Sequence, residues 1–99
     1  MQYHFSLELY LLSYFVKIVV LPFAIYILKC ENGQFYTGFT SNITKRLSSH
    51  RERKVSFTKD KLPVRLIHVS YFSDVQKAYD FERYLKSGSG IAFRNKRLI

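Results

Sequence analysis

The run AIYILKCENGQFYTGFT, from Ala24 to Thr40, limits the fold of this chain more than any other segment. From Phe23 to Lys29 the residues are β-formers. Glu31-Asn32-Gly33 then supplies a turn in which Asn and Gly tolerate positive φ, and Gln34 to Gly38 reads as the return strand. Such a hairpin sets Tyr26 and Tyr36 on neighbouring strands. Ser41 or Asn42 can cap a helix from about Ile43 to Arg53, with Ile43 and Leu47 toward the core. Arg46 and His50, four residues apart, share an adjoining face of that helix.

Beyond it, Lys54 to Pro63 is a basic, mixed stretch that reads as a loop, and Val64 to Phe72 reads as a third strand. Ser73 and Gln76 have capping-box spacing, and Val75, Ala78, Tyr79, Glu82 and Leu85 follow at helical intervals. Gly88 and Gly90 are expected to break that helix, with a short basic helix following from Ile91. The order ββαβαα predicts a small α+β domain, a three-stranded antiparallel sheet flanked by helices.

Residues 1–21 are a different kind of sequence, with apolar clusters at Leu9 to Val16 and Ile18 to Leu21 interrupted by Lys17. A transmembrane helix needs about 20 mostly apolar residues. Counting from Leu9 through Leu28 reaches that length only by consuming the strand that carries Tyr26. A basic n-region and a small-residue cleavage site, the marks of a signal peptide, are missing. Residues 1–21 therefore read as an extension outside a working domain at 22–99, with an accessory element or a weak membrane anchor as the alternatives. On this reading a chain beginning near Pro22 folds and binds its partners like the full chain.

The formal charge is +9, and residues 1 to 23 contribute only Glu8 and Lys17, which cancel, so the whole excess lies in Ala24 to Ile99. A small domain this basic favours polyanions, either nucleic acid or an acidic membrane surface, although a solvated basic face without a partner is the plainer alternative. Arg51, Arg53, Lys54, Lys59, Lys61 and Arg65 cluster after the Arg46 helix, and Arg94, Lys96 and Arg97 near the end. Contacts from these to phosphates would be salt-dependent and largely sequence-independent. Cys30 is the only cysteine, which excludes an internal disulfide and a Cys-based zinc site and fits a reducing, cytoplasmic setting.

Hydrolysis of a phosphodiester requires an activated water, stabilised charge on the phosphoryl oxygens and help for the leaving alkoxide, usually with a divalent metal. Tyr36 can act as a general base if a cation such as Arg46 or a metal lowers a phenol that otherwise titrates at about 10. Arg46 can also hold a non-bridging phosphate oxygen in its guanidinium fork. Glu82, a carboxylate among apolar helix positions, is the natural metal ligand. Each residue taken singly also has a structural explanation: tyrosines on strands pack cores, an arginine and histidine four apart decorate a surface, and Glu82 can pair with Lys86.

As an ordered set these residues resemble the GIY-YIG nuclease superfamily. The two name-giving motifs correspond to Ala24-Ile25-Tyr26 and Tyr36-Thr37-Gly38, and the likeness extends to the arginine and histidine of TKRLSSH and to Glu82 in AYDFE. It spans about Phe23 to the C-terminus and is greatest to the short stand-alone bacterial members, with similarity also to the N-terminal nuclease domain found in an excinuclease. The resemblance implies Tyr36 as general base and Tyr26 as the residue that orders the nucleophile water. It implies that Arg46 stabilises phosphorane-like charge, that His50 hydrogen-bonds around the nucleophile or phosphate, and that Glu82 binds a single Mg²⁺ or Mn²⁺. Gly38 is expected to let the backbone turn from strand to helix and to leave room for substrate.

Alanine stands for the first motif's glycine at Ala24, and threonine for the second motif's isoleucine at Thr37. Many active members carry a polar residue about a dozen positions after the metal glutamate; here the count lands on Arg94, with Asn95 adjacent as the candidate. The implied activity is a metal-dependent DNA endonuclease or nickase, with DNA repair or recombination as its setting. A nucleic-acid-binding module with little turnover and a membrane-attached basic protein are the competing readings. No recognition element such as a zinc finger or helix-turn-helix is visible, so targeting would fall to a partner protein, and a homodimer is a further open option.

Overall fold

A computed structural model describes residues 21–99. The extension assigned to residues 1–21, save its last residue, and most of the Leu9-to-Leu28 span lie outside the described residues. The elements follow the order ββαβαα: β1 (Phe23–Lys29), β2 (Phe35–Thr40), α1 (Ile43–Arg51), β3 (Arg65–Phe72), α2 (Val75–Leu85) and α3 (Gly88–Arg97). The strands form one antiparallel sheet in the order β2-β1-β3. No helix among the described residues is long and apolar enough to cross a membrane.

β1 is the central strand and is sealed on both faces, from Ala24 to Leu28. Side chains alternate along a strand, so its odd and even residues serve different layers. Ile25 and Ile27 join Ala78 and Leu85 of α2 in the apolar core, backed by Phe23, Phe39, Ile67, Phe72, Phe81 and Leu98. Tyr26 points the other way, toward α1 and the loop that follows it. One strand therefore supplies both the core and the floor of a polar cluster.

The turn between β1 and β2 follows its composition. Gly33 adopts φ 88°, and Asn32 Oδ1 accepts from the Gln34 amide at 3.0 Å in an Asx turn. The Gly33 amide closes back onto the Cys30 carbonyl at 3.0 Å.

At the helix ends the structure corrects several expectations. Of the two caps proposed for α1, Asn42 serves, its Oδ1 accepting from the Lys45 amide at 3.0 Å. The helix stops at Arg51, not Arg53, because Arg53 enters the left-handed region at φ 62° and the chain closes in a Schellman pattern. The Arg53 amide donates to the His50 carbonyl and the Lys54 amide to that of Ser49. Asp74, not Ser73, caps α2, its Oδ1 accepting from the Gln76 and Lys77 amides. An ionised carboxylate is the stronger acceptor there.

Gly88 and Gly90 do not delay α3 until Ile91; they form its first turn, with the Ser87 hydroxyl accepting from the Gly90 amide at 3.2 Å. Glycine is required at 90 because a Cβ would collide with the Tyr84 carbonyl. That contact lets α3 pack against the end of α2.

Candidate active site

The β1–β2 register pairs Tyr26 with Gly38 and Leu28 with Tyr36, so the two tyrosines are diagonal neighbours on one face of the sheet. Their ring centroids lie 6.0 Å apart. Gly38 sits within β2 and makes no turn; the reversal into α1 comes at Ser41 and Asn42. Its lack of a side chain makes room for the tyrosines and not for a bend. A Cβ on Gly38 would stand 2.6 Å from the Tyr26 hydroxyl and 2.8 Å from the Tyr36 ring.

α1 lays Arg46 and His50 over these phenols. The Arg46 Nε–H donates to the Tyr26 hydroxyl oxygen at 3.1 Å, and its Nη2 donates to that of Tyr36 at 3.3 Å. One planar guanidinium thus spans both phenols. His50 is wholly buried, with Nε2 2.8 Å from the Tyr26 hydroxyl and Nδ1 2.7 Å from Thr58 Oγ1. Its ring also lies edge-on to Tyr36, 5.0 Å between centroids.

Four of the residues singled out in the sequence, Tyr26, Tyr36, Arg46 and His50, are therefore in mutual contact. Their accessibility differs sharply. Tyr26 is 0% exposed and His50 likewise, and both make their polar side-chain contacts within the protein. Tyr36 is half-buried and lines a cavity of about 310 Å³ with Thr37, Phe57, Lys86, Ile91 and Arg94. Arg46 lines a second depression of about 220 Å³ with Ser41, Lys45 and Ser49.

Burial decides the protonation of the inner pair. Loss of solvation, opposed by the Arg46 hydrogen bond, pushes Tyr26 up to about 12, so it is a neutral phenol near neutral pH. Desolvation, aided by the Arg46 charge, lowers His50 to about 4 and leaves the imidazole neutral. The Tyr26 hydrogen bond is the main influence raising Arg46, which remains a cation.

Glu82 stands apart from the four. It lies on α2 with 22% of its side chain exposed, and Lys86 Nζ reaches its Oε2 at 3.3 Å. Lys86 in turn lines the Tyr36 cavity. Among the described residues no cluster of three or more His, Cys, Asp or Glu could cage a metal ion. A single carboxylate such as Glu82 can serve a divalent cation only together with waters or other oxygens.

Asn95 is exposed, and its Oδ1 accepts from Arg94 Nε and Nη2 at 3.1 and 2.9 Å. Arg94, which stacks 4.8 Å over Phe35, is the residue of that pair on the cavity wall.

Of the basic residues from the end of α1 onward, Lys59 is exposed, Lys54 pairs with Glu52 at 3.1 Å, and Arg51 donates to Ser48 Oγ. Lys61 is held inward, donating to the Phe57 carbonyl at 2.7 Å with its ammonium 4.4 Å from the Phe57 ring. Thr58 and Phe57 are not identifiable from sequence. A buried threonine within a charged loop carries no periodic signal, and only the fold brings it under His50.

A small α+β domain with two strand tyrosines gripped by a helix arginine is the architecture of the GIY-YIG nuclease superfamily. The profile of the GIY-YIG catalytic domain matches residues 22–94, and the chain belongs to that family. Its relatives include a UPF0213 protein of Bacillus licheniformis, 40% identical over 62 residues, which cover 62% of this chain and 64% of the relative. The match thus spans just under two thirds of that relative's length. A UPF0213 protein of Streptococcus agalactiae is 33% identical over 69 residues, covering 69% of this chain and 78% of the other. The solution NMR structure of a UPF0213 protein from Bacillus halodurans aligns with a TM-score of 0.50 at 26% identity, over 77% of this chain and 85% of that one.

Proposed function

We propose that the protein is a divalent-metal-dependent endonuclease or nickase that hydrolyses phosphodiester bonds in DNA. The observation that carries this reading is the Arg46 guanidinium, which binds both tyrosine oxygens while one of those tyrosines, Tyr36, opens onto a cavity with a cationic wall. Tyr36 acts as the general base. The Arg46 charge lies beside the phenolic oxygen that must be negative before it takes a proton from the attacking water. Arg46 also faces the phosphoryl group and stabilises its developing charge.

Tyr26 acts through Arg46: buried and neutral, it fixes the Nε edge of the guanidinium so that the Nη edge points at Tyr36. Glu82 would hold a single Mg²⁺ or Mn²⁺, which when bound supplies Lewis-acid stabilisation of charge on the phosphate and the leaving oxygen. Lys59, Lys54, Arg51 and Arg53 provide phosphate contacts along the strand, and a reducing, cytoplasmic setting and a role in repair or recombination fit this chemistry. The test is nicking of supercoiled plasmid with Mg²⁺ or Mn²⁺, alongside Tyr36→Phe and Glu82→Ala variants that melt like the parent. Metal-dependent nicking that is absent in both variants and abolished by a chelator is the expected result.

A binding module of the same fold is the second reading, favoured by the Lys86 contact that already occupies one oxygen of Glu82. DNA binding without cleavage on plasmid, branched and single-stranded substrates would decide for it.

A further inference from the structure

Thr58, His50, Tyr26 and Arg46 form one continuous chain of side-chain hydrogen bonds. The buried Tyr26 hydroxyl has one proton, and its two shortest side-chain hydrogen bonds are to Arg46 Nε and His50 Nε2, with the Tyr36 hydroxyl as a further neighbour. Arg46 offers no acceptor, and His50 Nε2, at 2.8 Å, is the nitrogen placed to take the Tyr26 proton. A neutral imidazole that accepts at Nε2 carries its own proton on Nδ1, and that N–H donates to Thr58 Oγ1 at 2.7 Å. Thr58 is itself 0% exposed, so no water competes for the bond. In the reverse tautomer Nε2–H would donate to the Tyr26 oxygen and the Thr58 hydroxyl to Nδ1, so the tautomer itself is the quantity to measure.

We propose that Thr58 is a positioning residue: as the acceptor for His50 Nδ1–H it sets the tautomer of His50, and through Tyr26 it fixes the guanidinium of Arg46 against Tyr36. The inference builds on the nuclease reading only where it concerns turnover; the relay itself is a property of the folded chain. The location of Thr58 is what gives it this reach. It lies in the loop after α1, and the neighbouring residue Phe57 packs against the Tyr36 ring at 5.6 Å. The same loop is tied to the β1–β2 turn by the Glu31 amide, which donates to the Lys61 carbonyl at 3.0 Å. Both phenols are thereby referred to one loop, Tyr36 through Phe57 and Tyr26 through Thr58 and His50.

The experiment uses the full chain with ¹⁵N-labelled histidine and arginine, unsubstituted and as Thr58→Val and Thr58→Ser. Long-range ¹H–¹⁵N correlations at neutral pH read the His50 tautomer, and exchange of the Arg46 Nε–H with solvent reads how firmly the guanidinium is held. The unsubstituted chain and Thr58→Ser should show the Nδ1–H tautomer. Thr58→Val should lose it, with Arg46 Nε–H exchange faster by about tenfold, the scale of one buried hydrogen bond.

Nicking by Thr58→Val should fall in kcat by about 10-fold or more with KM little changed, and Thr58→Ser should restore it. An Nε2–H tautomer in the unsubstituted chain, a measurement that needs no variant to fold, would overturn the proposal. So would unchanged Arg46 exchange in Thr58→Val, or a loss of kcat that Thr58→Ser fails to restore. If the parent shows no nicking at all, the nuclease reading fails, while tautomer and exchange still decide the relay.

Discussion

Gly38 faces Tyr26 across the β1–β2 ladder, and the space its missing side chain leaves is filled by the Tyr26 phenol. Gly38→Ala would place a Cβ 2.6 Å from both Cζ and the hydroxyl of a tyrosine already clamped by His50 and Arg46. Neither neighbour is a flexible chain end. The substitution should destabilise the fold by about 1–3 kcal/mol, as overpacking does. For a domain of this size that is a fall in Tm of about 4–8 °C per kcal/mol, readable by thermal melting. Tyr26 and Arg46 must both shift, so nicking should fall further than the lost stability explains.

The two tyrosines should separate stability from activity. Tyr26→Phe removes an oxygen that is partner to the buried His50 Nε2 and the half-buried Arg46 Nε, at a cost of about 1–3 kcal/mol. Tyr36→Phe removes one hydrogen bond of 3.3 Å at a half-buried site and should cost under about 1 kcal/mol. Nicking should nevertheless vanish in Tyr36→Phe, because among the described residues no other phenol lines the cavity. Denaturant unfolding and plasmid nicking on both variants check the contrast. Equal loss of stability in the two would contradict the burial difference between them.

Much of this fold is legible because its signals are local. The run of β-formers from Phe23 to Lys29, the Asn-Gly turn and the four-residue spacing of Arg46 and His50 each depend on neighbours in sequence. The layer roles of β1 are not legible, since a continuous apolar run around Tyr26 does not say which face meets helices and which meets a polar cluster. The role of Gly38 is hidden for a related reason: its freedom from a side chain matters through a cross-strand contact and not through its own φ. Glu82 illustrates the limit most plainly, for a carboxylate at helical spacing from Lys86 is compatible with both an ion pair and a metal ligand.

Acid should weaken the fold through His50. Its native pKa, about 4, lies below the ordinary histidine value of about 6.5, so between these pH values the unfolded chain binds a proton that the native chain refuses. Stability from this group is complete above about pH 6.5 and is lost as pH falls toward 4, by about 3 kcal/mol in all. His68, lowered by its own burial, acts in the same direction. Denaturant midpoints between pH 4 and 7 should fall steeply in the parent and less in His50→Gln. Matching slopes in the two chains would show that His50 is not the group responsible.

Lys59 and Lys61, two residues apart in the basic loop, should respond differently to removal. Lys59 is exposed, whereas Lys61 donates to the Phe57 carbonyl and lies over the Phe57 ring, which packs on Tyr36. If Lys59 contacts phosphate, Lys59→Ala should reduce the slope of log K against log salt by about 0.9 and leave Tm unchanged. Lys61→Ala releases the loop that carries Phe57 and Thr58, so it should lower Tm and slow nicking even where DNA binding is saturated. Fluorescence anisotropy over a salt series, thermal melting and nicking at saturating protein separate these effects. A Lys61→Ala chain that differs from the parent only in its salt slope would place Lys61 among the phosphate contacts and remove it from the support of Tyr36.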